Sequence, residues 1–319
     1  MDPILAWLVE PLTYPFMLRG LWAALMIGLV VPVLGCYVVL RGMAFYGDAL
    51  AHIILPGVVV AFLLGWPLAV GALIVGVLAA LAIGAISSSA TIREDSAIGV
   101  VFAGALALGV VLLSLQRSYA VDLAHILFGD LLGVSPADLT LMAVLSLVAV
   151  LTVLLFYKEF LLLSFDRVLA TTMQLPVRML NNLLYVLLAV VVVISIQAVG
   201  IALVVAMLVT PASAAYLLTR RLAKMMLLAS AIGAASGVIG LYASFYLDVA
   251  SGPAIVLIAT AVFGLVFLFA PGRGYLSRRI HSVSLWRTAY VPVENTGVSV
   301  DNALQNVTTP PQDSVPGGG

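Results

Sequence analysis

The chain has 319 residues, 64% of them hydrophobic and only 9% charged, with a mean hydropathy of +1.23. Soluble globular domains carry about 25% charged residues, so this composition excludes one and marks an integral membrane protein. Lys+Arg and Asp+Glu balance at 14 each; no basic stripe for nucleic acid exists, and the single cysteine, Cys36, can close no intrachain disulfide.

In chain order, residues 2–16 are apolar but broken by Pro3, Pro11 and Pro15. They predict a short interfacial helix with Trp7 and Tyr14 at headgroup level. The first span is expected over 18–40, with Pro32 as a kink; no small-residue cleavage site follows it, so it reads as retained rather than as a signal peptide. The second span is expected over 49–64, the third over 68–86, and the fourth over 97–115. Residues 116–138 form a longer, partly apolar connection with a short interfacial or re-entrant helix. Further spans are expected over 139–157, 182–197, 200–218, 226–246 and 253–270. The 200–218 segment carries Pro211 in its middle and small residues after it, the pattern of a broken or kinked helix. Gly233, Gly237 and Gly240 lie on one close-contact face of the 226–246 span. Each run is near the ~20 residues needed to cross a hydrocarbon core.

The expected fold is therefore all-α and polytopic, with about eight or nine transmembrane helices, one broken at Pro211. An N-terminal interfacial segment (1–17) precedes a transmembrane domain (18–272). A basic cytoplasmic tail (273–319) follows, largely disordered by its Pro, Gly, Ser, Thr and Asn content. Arg41, Arg93, Lys158, Arg167, Arg178, Arg220, Arg221 and Lys224 fall in alternate loops, and Arg273, Arg278 and Arg279 in the tail. The opposite set carries only Arg117, with Arg19 near the start of the first span. Positive charge is retained inside, so the N-terminus is expected outside and the C-terminus in the cytoplasm.

Asp48 and His52 stand in the stretch Gly47-Asp48-Ala49-Leu50-Ala51-His52. Four residues apart on a helix, they share one face. A carboxylate and an imidazole so placed can hold a divalent cation, and ionisable groups among spans usually line a bundle interior or a water-filled path. The plain alternative is a helix start, with Asp48 as a cap or first-turn acid and His52 a satisfied interior histidine. One helix supplies only two side-chain ligands where a bound metal wants four or more; a second copy across a two-fold axis would supply the rest.

The segment 165–180 (FDRVLATTMQLPVRML) reads as an amphipathic helix-turn ending at Leu175-Pro176. Its apolar face, rimmed by charge, suits a docking site for a soluble partner, against the alternative of an ordinary loop. The outward connection holds Asp122, His125 and Asp130, which read first as a solvated interfacial helix and second as contacts for metal or an outer partner. Glu94 and Asp95 read as acids favouring a helix N-terminus. There is no GxxxxGK loop, so any nucleotide hydrolysis that drives transport belongs to another chain.

MAFYGDALAHIILPGVVVAF resembles the Gly-Asp-x-Leu-x-His segment of the permease subunits of bacterial manganese and zinc ABC importers. VDLAHILFGDLLGVSPADL, FDRVLATTMQLPVRMLNNLL, GIALVVAMLVTPASAAYLLTRR and SFYLDVASGPAIVL continue the likeness in the family's order, across most of residues 14–270. The resemblance implies an ABC importer permease fold in the bacterial inner membrane. It implies a permease that works as a pair, docks on two cytoplasmic ATPase subunits that bind the ATP, and is fed by an extracytoplasmic metal-binding protein. Asp48 and His52 fall on the family's metal-coordinating pair. Phe165, Asp166, Leu169, Leu175, Pro176 and Arg178 fall on the block that couples to the ATPase. His125 falls where other members often carry Tyr, which counts against a metal role for it.

No permanent cofactor is expected; the transported ion is the ligand. Oxygen and imidazole donors suit Mn²⁺, whereas zinc sites more often add thiolate or further histidines. Zinc and ferrous iron stand next. Of other classes, a proton-driven secondary transporter would want a chain of intramembrane acids where only Asp48 lies deep. A permease for cobalamin or ferric siderophores would have no need of an Asp–His pair.

Overall fold

The computed structural model describes residues 9–88, 92–115 and 131–270. Within them every regular element is helical, and nine helical segments are long and apolar enough to cross a membrane. Backbone groups in hydrocarbon must be satisfied within their own segment, which is why apolar runs of this length become helices. The chain is a multi-pass, all-α membrane protein.

A single 3-10 turn, Glu10–Thr13, precedes α1, Pro15–Arg41. This helix starts earlier than expected because Pro15 takes a first-turn position, where its missing N–H is no loss. It ends on Gly42 at φ 71°, a left-handed cap that favours glycine. Pro32 lies inside it without ending it. The second span is split into α2, Tyr46–Ile53, and α3, Leu55–Leu64. Pro56 explains the split: it has no N–H to bond back to His52 and it constrains Leu55. Next come α4 (Leu68–Ser87), α5 (Glu94–Ser114) and a 3-10 turn at Leu131–Gly133. A capping box between Ser135 and Asp138 then opens α6, Pro136–Leu155.

Two short helices, α7 (Tyr157–Phe165) and α8 (Arg167–Thr172), lead to α9, Val177–Val199. Only Gly200, at φ 85°, separates α9 from α10, Ile201–Leu218; so sharp a reversal needs glycine. Pro211 was expected to break or kink this span. It sits inside an unbroken helix; among the described residues the one interrupted span is the second, and only at Ile54, which keeps helical φ −71° and ψ −14°. The bundle closes with α11 (Leu222–Leu247) and α12 (Ser251–Phe269). The expected helix in 116–130, the tail beyond 270 and Trp7 lie outside the described residues.

Helices α1, α10, α11 and α12 pack together, as do α3, α4, α5 and α9, and α2 touches α4, α5, α9 and α10 between the two groups. Small residues set the closest approaches. A Cβ on Gly28 of α1 would lie 2.7 Å from the carbonyl of Gly233 in α11, and one on Gly240 would lie 2.5 Å from the backbone of Ile255. Lipid gives no hydrophobic drive for helix association, so such backbone proximity and the dispersion it brings hold spans together.

The Arg-bearing loops gather at one end of the bundle. Arg41 bonds to Ser164 and Asn181, Arg167 pairs with Glu94 at 3.6 Å, and Leu40, Phe165 and Arg220 line one cleft. The opposite end joins Gly20 to Leu131 and Leu132, and Tyr14 to Phe245.

Candidate metal centre

The helix α2 is buried on all sides but one. Tyr46, Gly47, Ala49, Leu50, Ala51 and Ile53 are buried, leaving Asp48 and His52 as the half-exposed residues of its eight. The burial is tight. The Tyr46 ring stacks on Tyr185 of α9, and a Cβ on Gly47 would meet Leu208 of α10 at 2.7 Å. Gly35 of α1 also rests on the Leu208 backbone. Gly35 and Gly47 therefore share a level, and Gly35 lies six residues before Arg41, about 9 Å along the axis. Asp48 thus stands inside the bundle rather than at its Arg-bearing rim.

Asp48 is not a cap. Phe45 occupies the N-cap position of α2 with no side-chain hydrogen bond, and Asp48 lies in the first turn, where the helix dipole still favours an anion. Its carboxylate makes no hydrogen bond or ion pair with any described residue. His52 meets Phe102 of α5 edge-on, with centroids 6.0 Å apart at 69°. Phe102 also contacts Phe45, at 5.5 Å and 80°. Phe45, Asp48 and His52 form one stripe at i, i+3 and i+7, with Phe102 as an aromatic wall beside it. Sequence reading did not find Phe102; an aromatic in the middle of an apolar span carries no signal of its own.

Two free donors on an open face can hold a divalent cation only in part. Among the described residues no group of three or more His, Cys, Asp and Glu comes together, and buried Cys36 lies in the body of α1.

The second candidate region lies at the Arg-bearing end. Asp166 caps α8, its Oδ1 accepting from Leu169 N at 2.9 Å. The helical part of this segment is shorter than expected. It stops at Thr172, Gln174 takes a left-handed φ of 57°, and Pro176 opens α9 rather than closing α8. Phe165, Val168 and Met173 are 64%, 73% and 62% exposed. Leu169, Pro176 and Arg178 are exposed beside them, while Leu175 turns back onto the core. A cleft of about 340 Å³ between Leu40, Phe165, Tyr216, Arg220 and Leu222 opens next to this surface. A second hollow of about 670 Å³ lies over Pro176, Arg178, Met179 and Asn182. Glu94 stands in the first turn of α5, as expected, and also pairs with Arg167 of α8. Asp122, His125 and Asp130 lie outside the described residues.

The model of the ABC 3 transport family matches residues 13–270. The chain is 48% identical over 267 residues to the manganese transport system membrane protein MntC of Halalkalibacterium halodurans, covering 84% of this chain and 91% of that one. It is 39% identical over 269 residues to the chelated iron transport system membrane protein YfeD of Yersinia pestis, covering 84% and 90%. Among solved structures it is similar to PsaBC from Streptococcus pneumoniae in complex with Fab, with a TM-score of 0.74, 39% identity, and coverage of 86% of this chain and 99% of that one.

Proposed function

This chain belongs to the ABC 3 transport family, and from that premise we propose that it is the membrane-spanning permease of an ATP-driven importer whose cargo is Mn²⁺. One observation carries the proposal: α2 is buried all round except for Asp48 and His52, which project together with a free carboxylate. An ionisable pair is costly inside a bundle unless it serves a path. Carboxylate oxygen and imidazole nitrogen suit Mn²⁺, and the MntC likeness points to the same ion. The YfeD likeness keeps iron as the second cargo reading, with zinc behind it.

Two ligands per chain call for two chains. A second copy, set against the open face of α2, would bring its own Asp48 and His52 and complete a four-ligand site. The energy comes from a partner ATPase that binds ATP, since the sequence holds no GxxxxGK loop. That ATPase docks on the exposed apolar surface of Phe165, Val168, Leu169 and Met173. This end, where Arg41, Arg167 and Arg220 gather, faces the cytoplasm. The opposite end receives the cation from an extracytoplasmic binding protein.

Uptake by proteoliposomes holding the complex with its ATPase tests this, beside an Asp48→Ala/His52→Ala variant and with Mn²⁺, Fe²⁺ and Zn²⁺ offered in turn. The expected result is ATP-dependent Mn²⁺ uptake that the double variant loses while still assembling. Uptake without the ATPase would point to a secondary transporter. Normal uptake by the assembled double variant would remove the pair from the path.

A further inference from the structure

Arg41 is the last residue of α1, and its guanidinium reaches two acceptors far away in the chain. Nη1 donates to Asn181 Oδ1 at 2.9 Å, and Nε donates to Ser164 Oγ at 3.3 Å. Ser164 is the residue before the 165–180 segment and Asn181 the residue after it. One side chain therefore holds both ends of the surface proposed to meet the ATPase. The anchorage is firm on that side, since Ser164 Oγ donates in turn to Phe160 O at 2.7 Å and Asn181 is buried.

The chain on the other side of Arg41 leads straight to Asp48. Gly42 turns it at φ 71°, Met43 N donates to Val38 O at 2.9 Å, and Tyr46 N donates to Met43 O at 2.9 Å. Met43 and Tyr46 are buried. This link is only four residues long and is tied by backbone bonds at Gly42, Met43 and Tyr46, so it has little slack to absorb a movement of Arg41. A second connection runs in parallel: Arg167 of α8 pairs with Glu94 of α5, and α5 carries Phe102 against His52.

We infer that Arg41 is a positioning residue that joins the 165–180 segment to the Asp48/His52 helix, so that displacement of the segment is passed to the cation pair. This rests on the function proposed above. The planar fork of arginine suits the task, because Nη1 and Nε bond two separate acceptors in fixed directions, whereas the three donors of a lysine ammonium sit on one freely rotating atom. Nη2 is buried without a hydrogen-bond partner among the described residues, and so are the Tyr185 hydroxyl and Asn182 Oδ1. A buried network with spare donors and acceptors has partners to exchange as the helices shift.

The test uses the full permease–ATPase complex in proteoliposomes and reads Mn²⁺ ions moved per ATP hydrolysed, together with the ATPase that co-purifies. Arg41→Ala should retain the ATPase and its hydrolysis while the ratio falls by about tenfold, within the range for residues that carry coupling without touching either ligand. Arg41→Lys, which keeps the charge but loses the fixed fork, should fall between Arg41→Ala and the unmodified chain, and Ser164→Ala and Asn181→Ala should each lower the ratio in part. An unchanged ratio in both Arg41 variants, with the unmodified complex transporting, overturns the inference and leaves the function standing. Should Arg41→Ala fail to assemble, Arg41→Lys decides alone: a lowered ratio supports the join and an unchanged ratio overturns it. An unmodified complex that moves no divalent cation overturns the function and the inference together.

Discussion

Tyr46 and Tyr185 are joined twice: their rings stack with centroids 5.7 Å apart, and the Tyr46 hydroxyl donates to the Tyr185 carbonyl at 2.9 Å. Both side chains are fully buried. This contact sets the orientation of α2 against α9, two residues before Asp48. Tyr46→Phe keeps the ring and loses one hydrogen bond, a cost of about 1 kcal/mol. Tyr46→Ala empties the site and should cost about 3–5 kcal/mol, by analogy with buried aromatic truncations. Thermal unfolding of the detergent-solubilised chain measures the first as a drop of a few degrees and the second as a much larger one. Mn²⁺ uptake should survive the first change and fail with the second, because only the second lets α2 rotate.

At His52 the donor type should decide the cargo. A thiolate is a softer ligand than imidazole and favours zinc over manganese. His52→Cys should weaken Mn²⁺ uptake and make Zn²⁺ the stronger competitor, with the preference moving by about tenfold or more. Competition assays on the reconstituted complex measure the shift. An unchanged preference would mean that His52 does not touch the ion.

How much of this was legible in the sequence follows from what each signal depends on. The spans were legible because about twenty apolar residues in a row have one use in a membrane. That Asp48 and His52 share one face of α2 was legible from their spacing of four. The break at Ile54 was not, since hydropathy counts side chains while the break arises from the N–H that Pro56 lacks. At Pro211 the sequence allowed a break or a kink, and no break forms, because membrane helices tolerate proline where neighbouring groups satisfy the freed backbone. The Arg41 contacts were out of reach altogether. They join positions 123 and 140 residues apart, and nothing local in the sequence marks Ser164 or Asn181 as acceptors.

Glycines in the bundle should answer alanine in opposite ways. At Gly28 a Cβ would lie 2.7 Å from the Gly233 carbonyl, so Gly28→Ala forces α1 and α11 apart at a cost of about 1–3 kcal/mol. At Gly104 of α5 a Cβ would meet nothing within 4 Å. Gly104→Ala should then stabilise the helix by as much as about 1 kcal/mol. Melting temperatures of the two variants should move to opposite sides of the unmodified chain. A loss at Gly104 would show instead that another copy covers the outer face of α5.

The surface proposed for docking separates binding from folding most cleanly. Val168 is 73% exposed, so Val168→Glu should change the stability of the isolated chain by no more than about 0.5 kcal/mol. A charge at the centre of an apolar contact leaves an unpaired group on burial, and co-purification of the ATPase should be lost. Asp166→Ala should behave differently. It removes the cap that holds Leu169 N, at about 1 kcal/mol, and frays α8 rather than repelling the partner. The ATPase should remain bound with reduced affinity, and Asp166→Asn, which keeps a capping oxygen, should restore it. If Val168→Glu left the association intact, the partner would contact this end elsewhere, and the cleft beside Phe165, Tyr216 and Arg220 would be the surface to change next.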